Sequence, residues 1–400
     1  MSKLFYSWEF GANFGHIGAF LPLGRALRDR GHAVQWIVAQ TGPAARLLGK
    51  ENFTWLQAPL AQELQQKNPP LTYADILLRF GYANADDLMG LVVGWRELFR
   101  LGGAQLVLAD HAPTAVLAAR TMDLPVMLFS NGFTVPPRLR PMPNMRPWQQ
   151  FPEAQLFAIE DHVIASINQV LQRFNKTGLT ALHQLFDVEE EALITYPELD
   201  HYDNRGPARY WGSLPNAAIG IVPPWPAVSG KRIFAYLRPE TPHAEAALQA
   251  LHRLGLPTVI YFPDATDALR NKFQAPHITF VAEPVDIEGA AREADVAITY
   301  SSLATTTAFL MAGKPLLLLP THLEQFLLAR RVVEMGAGQV ISAEQQADDL
   351  PQLLMDLLSN PAYTANARAF STKYASFGQS NVIENLVRRV EELSITGNQK

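Results

Sequence analysis

Short, continuous apolar runs alternate along this chain with longer stretches whose apolar positions recur every three or four residues. In the first half, "KLFYSWEF" reads as a strand and His16–Arg30 as an amphipathic helix. "AVQWIVA" is a second strand, closed by Thr41-Gly42-Pro43. "AQLVLAD", ending at Asp110, is another strand, "APTAVLAARTMD" a helix and "LPVMLFS" a further strand. The stretch Pro136–Pro152, basic and rich in proline, breaks the pattern and predicts an irregular segment. The alternation then restarts. "RIFAYL", "PTVIYF", "ITFVA", "ADVAITY" and "KPLLLLP" read as strands. "HAEAALQALHRLG", "ATTTAFLMAG" and "EQFLLARRVVEMGAG" read as helices, the last ending at Gly336. Apolar strands separated by helices argue for parallel, doubly wound α/β sheets.

The two alternating halves are separated by "GSLPNAAIGIVPPWPAVSGKR", loaded with Gly, Pro and Ser, which reads as a linker. The expected division is a first domain over 1–215, a linker over 216–230 and a second domain over 231–380. A chain of 400 residues exceeds one ordinary core, which agrees with two domains facing across a cleft. Composition narrows the chemistry. There is no cysteine, which excludes disulfides, thiolate metal sites and a cysteine nucleophile, and fits a reducing compartment. "MSKLFYSWEF" is too short an apolar run for a secretory signal, and no stretch is long enough to span a bilayer. We expect a cytoplasmic protein. A net charge of −5 offers no general attraction to nucleic acid, so small molecules are the expected partners.

In open α/β sheets ligands gather outside the carboxyl ends of the strands. His16 follows the first strand and Asp110 ends "QLVLAD", so both fall in that region. An imidazole there can take a proton from a hydroxyl, and a carboxylate on its other nitrogen would fix the tautomer. The alternative is structural: His16 at the start of its helix and Asp110 on loop amides. Gly11, Gly15 and Gly18 surround the histidine and would let the backbone turn tightly beside a ligand. Their spacing does not match the G-x-G-x-x-G dinucleotide fingerprint.

A second constellation is "YSSLATTTAFLMAGKP", residues Tyr300–Pro315, a strand-to-helix turn with clustered hydroxyls. Helix N-termini present unpaired N–H groups and positive potential, which suits a phosphate. Ser301, Ser302 and Thr305 would add donors; equally, Ser302 or Thr305 would simply cap the helix. Arg238, ending "RIFAYLR", is a further phosphate candidate, or else faces solvent or pairs with Glu240. Glu324 and Gln325 stand together after a strand and suit hydrogen bonds to sugar hydroxyls, or begin a solvated helix. His322 with Glu324 lacks further ligands for a metal, and none is expected. The apolar positions across Leu77–Leu101 suit core packing of helices, an acceptor pocket or a membrane contact, in that order.

These segments resemble the GT-B nucleotide-sugar glycosyltransferases of family 1, which include UDP-glucosyl- and macrolide glycosyltransferases. "FGHIGAFLPLGRALRDRGHAV" is similar to the family's opening, G-H-x-x-P-x-x-x-L-A-x-x-L-x-x-R-G-H-x-V. "LVLADHAPTAVLAARTMDLPVMLFS", "ALITYPELD…ARYWGSLP" and "ADVAITYSSLATTTAFLMAGKPLLLLPTHLEQFLLARRVVEMGAG" resemble later family segments in the same order. The resemblance implies two Rossmann-like domains, the first binding the acceptor and the second the nucleotide sugar. A terminal helix over 381–400 would pack back on the first. His16 falls on the family's catalytic base and Asp110 on its partner. Phe14, Gly15 and Phe133 fall on the acceptor side. Arg238, Val281 (through its backbone, to the base), Tyr300, Ser301, Ser302, Thr305, Glu324 and Gln325 fall on the donor side. The implied reaction is inverting hexosyl transfer from a UDP- or TDP-sugar to a small-molecule hydroxyl, with no metal or other cofactor.

The chain also departs from that pattern. Tyr300-Ser301-Ser302 replaces the usual His-Gly-Gly, Ala308 stands at the ribose-binding glutamate, and the base-stacking tryptophan is missing before Pro284. Tyr300 replaces the histidine's hydrogen bond but not its charge. The rival readings are a lipid-linked sugar transferase or an epimerase on the same fold, and a non-catalytic relative acting as partner or activator of another transferase.

Overall fold

The computed structural model describes residues 1–12, 14–64, 66, 68–203, 205–214, 220–347 and 349–396, the side chains at 379, 380 and 396 excepted. Residues 216–219 of the predicted linker and 397–400 of the predicted terminal helix lie outside the described residues. The chain divides into two compact units. The first comprises Met1–Tyr196, Tyr202–Leu214 and Ser380–Lys400; the second comprises Pro197–His201 and Pro215–Gln379.

The first unit holds a six-stranded parallel sheet of β1 (Lys3–Trp8), β2 (Ala33–Val38), β3 (Trp55–Gln57), β4 (Leu106–Asp110), β5 (Val126–Ser130) and β6 (Glu190–Leu193). The spatial order is β3-β2-β1-β4-β5-β6. All five residues of β4 and of β5 are buried, as are the last five of β1. Helices on both faces of a parallel sheet leave no wet side, so these strands read as unbroken apolar runs. The helix Ala85–Gly102 contributes Leu88, Val92, Trp95 and Phe99 to this core. The apolar positions across Leu77–Leu101 are thus largely a packing stripe. Among the described residues no helix is long and apolar enough to cross a membrane.

The second unit repeats the architecture with β7 (Ile233–Tyr236), β8 (Thr258–Tyr261), β9 (Ile278–Val281), β10 (Val296–Thr299), β11 (Leu316–Leu318) and β12 (Gly338–Val340). Its order is β12-β11-β10-β7-β8-β9, again all parallel. Ile233, Ile260, Ile298, Leu317 and Leu354 lie in its core. Residue Ile221, within the predicted linker, joins this unit: its N–H donates to Pro284 O (2.8 Å) and its carbonyl accepts from Asp286 N (2.9 Å).

In each sheet the strand order reverses between two neighbours, β1 and β4 in one and β7 and β10 in the other. Beyond the carboxyl ends of such a pair the connections diverge to opposite faces, which opens a crevice for a ligand. The register sets Trp8 beside Asp110 at one switch point and Tyr236 beside Thr299 at the other. Both α/β predictions hold. His16 and Asp110 follow or end the strands at the first switch point, and Arg238, Tyr300, Ser301 and Ser302 follow those at the second, whereas Phe133, Val281, Glu324 and Gln325 lie at or beyond the ends of other strands.

Candidate active site and anion-binding turn

His16 is the second residue of the helix Gly15–Asp29 that follows β1, and Asp110 is the last residue of β4. Because β1 and β4 are adjacent, two residues 94 positions apart meet: His16 Nδ1 lies 3.0 Å from Asp110 Oδ2. The histidine side chain is 21% exposed and the aspartate 8%. The same carboxylate oxygen accepts a hydrogen bond from Tyr6 Oη at 2.8 Å. Burial, then the Asp110 charge, then that hydrogen bond push the Tyr6 phenol well above its ordinary pKa, so it remains a donor. The imidazole stacks on Trp8, with ring centroids 5.0 Å apart and planes 22° from parallel. Asp110 and Trp8 together fix the ring's rotation and tilt.

Of the three glycines around His16, Gly11 carries the steric argument. Its φ is +97°, and a Cβ there would lie 2.4 Å from His16 Nε2. Around Gly15 and Gly18 a Cβ would meet nothing within 4 Å, so the steric demand of the imidazole falls on Gly11 alone. Pro22 sits inside the same helix. Beside the pair, His111 is half-buried, with its backbone in the left-handed region at φ +45°. Burial, with His16 second, pushes its pKa well below the ordinary value, so it is a neutral neighbour. Phe14 is half-buried at the N-cap of the His16 helix, 5.9 Å from the Arg46 guanidinium, and Gly15 is exposed. Phe133 is buried in the turn after β5, where its carbonyl accepts from Tyr202 Oη at 3.3 Å.

At the second switch point Tyr300 and Ser301 follow β10, and Ser302 is the N-cap of the helix Leu303–Met311. No side-chain hydrogen bond caps that helix; the Ser302 hydroxyl instead donates to Thr305 Oγ1 at 3.0 Å. The simple capping alternative therefore does not describe either residue. Ser301 has φ +66°, is 1% exposed, and its Oγ lacks a hydrogen-bond partner. A left-handed serine with an orphaned buried hydroxyl beside an uncapped helix start is costly packing, of a kind found at ligand sites.

Arg238 follows β7, next to β10. Its Nη2 donates to Tyr236 Oη at 3.0 Å, and its guanidinium lies 5.8 Å from the centre of the Tyr300 ring. Burial works against this cation, but the oxygens of Tyr236 and Tyr300 more than offset it, and the guanidinium stays charged. Its carboxylate neighbour is Asp264, 3.8 Å away, rather than Glu240. Tyr236, Tyr261 and Tyr300 form a continuous aromatic row across three strand ends, with centroids 4.5 Å and 4.9 Å apart. Sequence reasoning missed Tyr6, Trp8, Tyr236 and Tyr261, because tyrosine and tryptophan in an apolar strand read as core.

Glu324 and Gln325 occupy the first turn of the helix Leu323–Glu334 beyond β11. The Gln325 Oε1 accepts from Thr321 N (2.9 Å) and Thr321 Oγ1 (2.8 Å), which fixes the side-chain amide. Val281 ends β9, and its carbonyl accepts from Phe262 N at 3.0 Å inside the sheet. Ala308 lies in the helix after Ser302. Among the described residues no group of three or more His, Asp or Glu is placed to hold a metal ion.

No family model matches the chain. A PGL/p-HBAD biosynthesis glycosyltransferase of Mycobacterium tuberculosis is 23% identical over 343 residues, 77% of this chain and 76% of that protein. The zeaxanthin glucosyltransferase of Pseudescherichia vulneris is 28% identical over 380 residues, 86% of this chain and 88% of that protein. Among solved structures, a spinosyn rhamnosyltransferase complexed with spinosyn aglycone superposes with a TM-score of 0.71 at 21% identity, over 98% of this chain and 100% of that one. The same enzyme complexed with thymidine diphosphate gives 0.70 at 19% identity, with the same coverage. The chain thus has the GT-B fold, and its resemblance to the family 1 nucleotide-sugar glycosyltransferases extends from motif order to architecture.

Proposed function

We propose that this chain is an inverting, metal-independent glycosyltransferase that moves a hexose from a UDP- or TDP-sugar to the hydroxyl of a small-molecule acceptor, working in the cytoplasm. The observation that carries the reading is the 3.0 Å contact between His16 Nδ1 and Asp110 Oδ2 at a switch point. With the Nδ1 proton donated to Asp110, Nε2 has its lone pair for the acceptor hydroxyl. His16 takes that proton as the acceptor oxygen forms its bond to the anomeric carbon. On the opposite face the bond from that carbon to the diphosphate breaks, and the electron pair leaves with the nucleotide. Configuration at the carbon inverts. Asp110 stabilises the imidazolium until the proton passes to solvent.

In this reading Arg238 and the amides after Ser302 meet the charge that grows on the leaving diphosphate, Ser301 and Thr305 add hydroxyls, and the sugar lies against Glu324 and the Gln325 NH2. Arg238 makes up the charge that Tyr300 lacks relative to the histidine of the family pattern. Preorganised groups of this kind usually supply the largest share of catalysis. The names of the relatives and the thymidine diphosphate and aglycone complexes of the spinosyn enzyme support the same substrate classes.

A thermal-shift panel of UDP, TDP, GDP and ADP tests the donor side, since a ligand that binds only the folded state stabilises it by mass action. UDP or TDP is expected to raise the melting temperature; a flat response to all four removes the donor site. His16→Ala is expected to keep that shift while transfer to a panel of phenolic and alcoholic acceptors falls roughly 10²- to 10⁴-fold. Ala308 and the altered Tyr300-Ser301-Ser302 turn favour the non-catalytic reading, which a flat panel with full cellular function in His16→Ala would select.

A further inference from the structure

Directly after β1 comes Glu9, an acid inside the apolar run "FYSWEF", only 3% exposed. Its Oε2 accepts from Thr114 N at 2.9 Å, and its Oε1 lacks a hydrogen-bond partner. Thr114 stands in the first turn of the helix Pro113–Thr121, which begins just after the Asp110 turn. Pro113 has no N–H, so Thr114 offers the first amide of that helix. The Thr114 hydroxyl lies 3.0 Å from Tyr82 Oη. One further link joins the two turns: Phe10 N donates to His111 O at 2.9 Å.

These contacts bracket a strained residue. His111 follows Asp110 directly and holds φ +45°, a conformation that residues with a Cβ resist. Such strain persists only where the surroundings over-determine it. Here the restraint comes from the β1 side, through Phe10 to His111 and through Glu9 to Thr114. We propose that Glu9 is a positioning residue for the His16–Asp110 pair, tying the turn after β4 to the turn after β1 so that His111 keeps its left-handed backbone and Asp110 stays aimed at His16 Nδ1. This rests on the reading of that pair as the working dyad.

Among the described residues no cation acts on the Glu9 carboxyl. The groups around it are the phenols of Tyr73 and Tyr82, both pushed well above their ordinary pKa by burial, the Thr114 hydroxyl, and the neutral His111 ring that packs on Tyr73. Its job is to accept an amide proton, and a neutral acceptor of the same shape does that job equally well. Glu9→Gln keeps the acceptor oxygen. Glu9→Met keeps length and volume but offers only a weak thioether acceptor.

The readout needs no substrate, so it stands whether or not the chain transfers sugars. Nitrogen NMR of ¹⁵N-histidine-labelled full-length protein reports which ring nitrogen of neutral His16 bears the proton. With Asp110 in place the proton sits on Nδ1 in the wild type and in Glu9→Gln. In Glu9→Met, still folded by melting, the Nδ1–H fraction is expected to fall by about half or more as Asp110 loses its aim. Asparagine enters the left-handed region with help from its short side chain's local hydrogen bond, so adding His111→Asn to Glu9→Met is expected to restore the Nδ1–H form. An unchanged tautomer in Glu9→Met, an equal loss in Glu9→Gln, or no recovery in the double variant each overturns the proposal.

Discussion

Gly11 shows how one missing side chain shapes the site. Gly11→Ala puts a Cβ where it would lie 2.4 Å from His16 Nε2 and forces alanine to φ +97°. The backbone strain costs about 1–2 kcal/mol, and the ring must move. Displacement of a reacting group by about 1 Å can cost on the order of 10²-fold in rate. We expect that loss in a transfer assay, with the nucleotide-induced thermal shift intact; full transfer activity in Gly11→Ala would remove the steric argument. Glu9 supplies a pH signature. Burial raises its pKa from 4.5 to about 8 against the lowering effect of the Thr114 and Ala115 amides and the Thr114 hydroxyl. Between those values the folded state holds a proton that the unfolded state has released. Stability therefore falls as pH rises through that window, at up to about 1.4 kcal/mol per pH unit, and levels off above it. Glu9→Gln removes that slope, so its melting temperature relative to wild type should climb from pH 5 to pH 8. Parallel curves would count against a buried, protonated Glu9. At this scale the pairing of His16 and Asp110 is legible in the sequence, because one begins the helix after a strand and the other ends a strand, each within a spaced motif. Tyr6 and Trp8 are not, since their strand positions look like core. Glu9 carries the one signal available, a charge embedded in an apolar run, which is rare unless it has a partner.

The turn after β10 and the edge strands show what periodicity can and cannot reveal about elements. Ser301 occupies a position where glycine would be relaxed, with φ +66° and a buried hydroxyl lacking a partner. Ser301→Gly is expected to stabilise the second unit by about 1 kcal/mol, and also to weaken binding of UDP or TDP by removing the hydroxyl. Melting with and without nucleotide separates the two effects: a higher base melting temperature with a smaller ligand shift supports the anion-binding turn, and an undiminished shift counts against it. The buried inner strands are legible because a parallel sheet covered on both faces demands apolar runs. Of the four edge strands, β9 is legible as "ITFVA", but β3, β6 and β12 are not. β3 and β12 span three residues each, and β6 includes Glu190 and Glu191. Runs so short hold no alternation to read, and polar edges are how sheets avoid further pairing. The irregular stretch Pro136–Pro152 was foreseeable from its prolines, but its anchor was not: Met142 N donates to the fully buried Glu160 at 2.7 Å.

At the scale of the whole molecule, chain order and unit membership diverge, since the helix Gln379–Thr396 follows the second unit in sequence yet its residues from Ser380 onward belong to the first. Val382, Leu386, Val387, Val390 and Leu393 are each no more than 4% exposed and follow helical spacing. Arg30 reaches Glu384 at 2.6 Å and Arg389 reaches Glu190 at 2.7 Å, both within the first unit. The exposed Arg30–Glu384 pair contributes little, roughly 0–1 kcal/mol, and Arg389–Glu190 is a single partly buried pair, so the apolar stripe decides most of the helix's worth. Deleting residues from 380 onward exposes whatever surface that stripe covers. A net loss of 2–3 kcal/mol would lower the melting of a unit this size by roughly 5–10 °C. The proposed donor residues Arg238, Ser301, Glu324 and Gln325 all lie in the second unit, which the deletion leaves whole. Calorimetry of the truncated chain should therefore show two transitions. The one that UDP or TDP raises should stay where it is in the full chain, and the other should move down. If the nucleotide-sensitive transition falls by the same amount, the helix supports both units and their separate stabilities must be abandoned. If neither moves, the buried stripe contributes nothing net. The outcome also bears on folding during synthesis, because the first unit to emerge would then lack its last helix until the second unit had already been made.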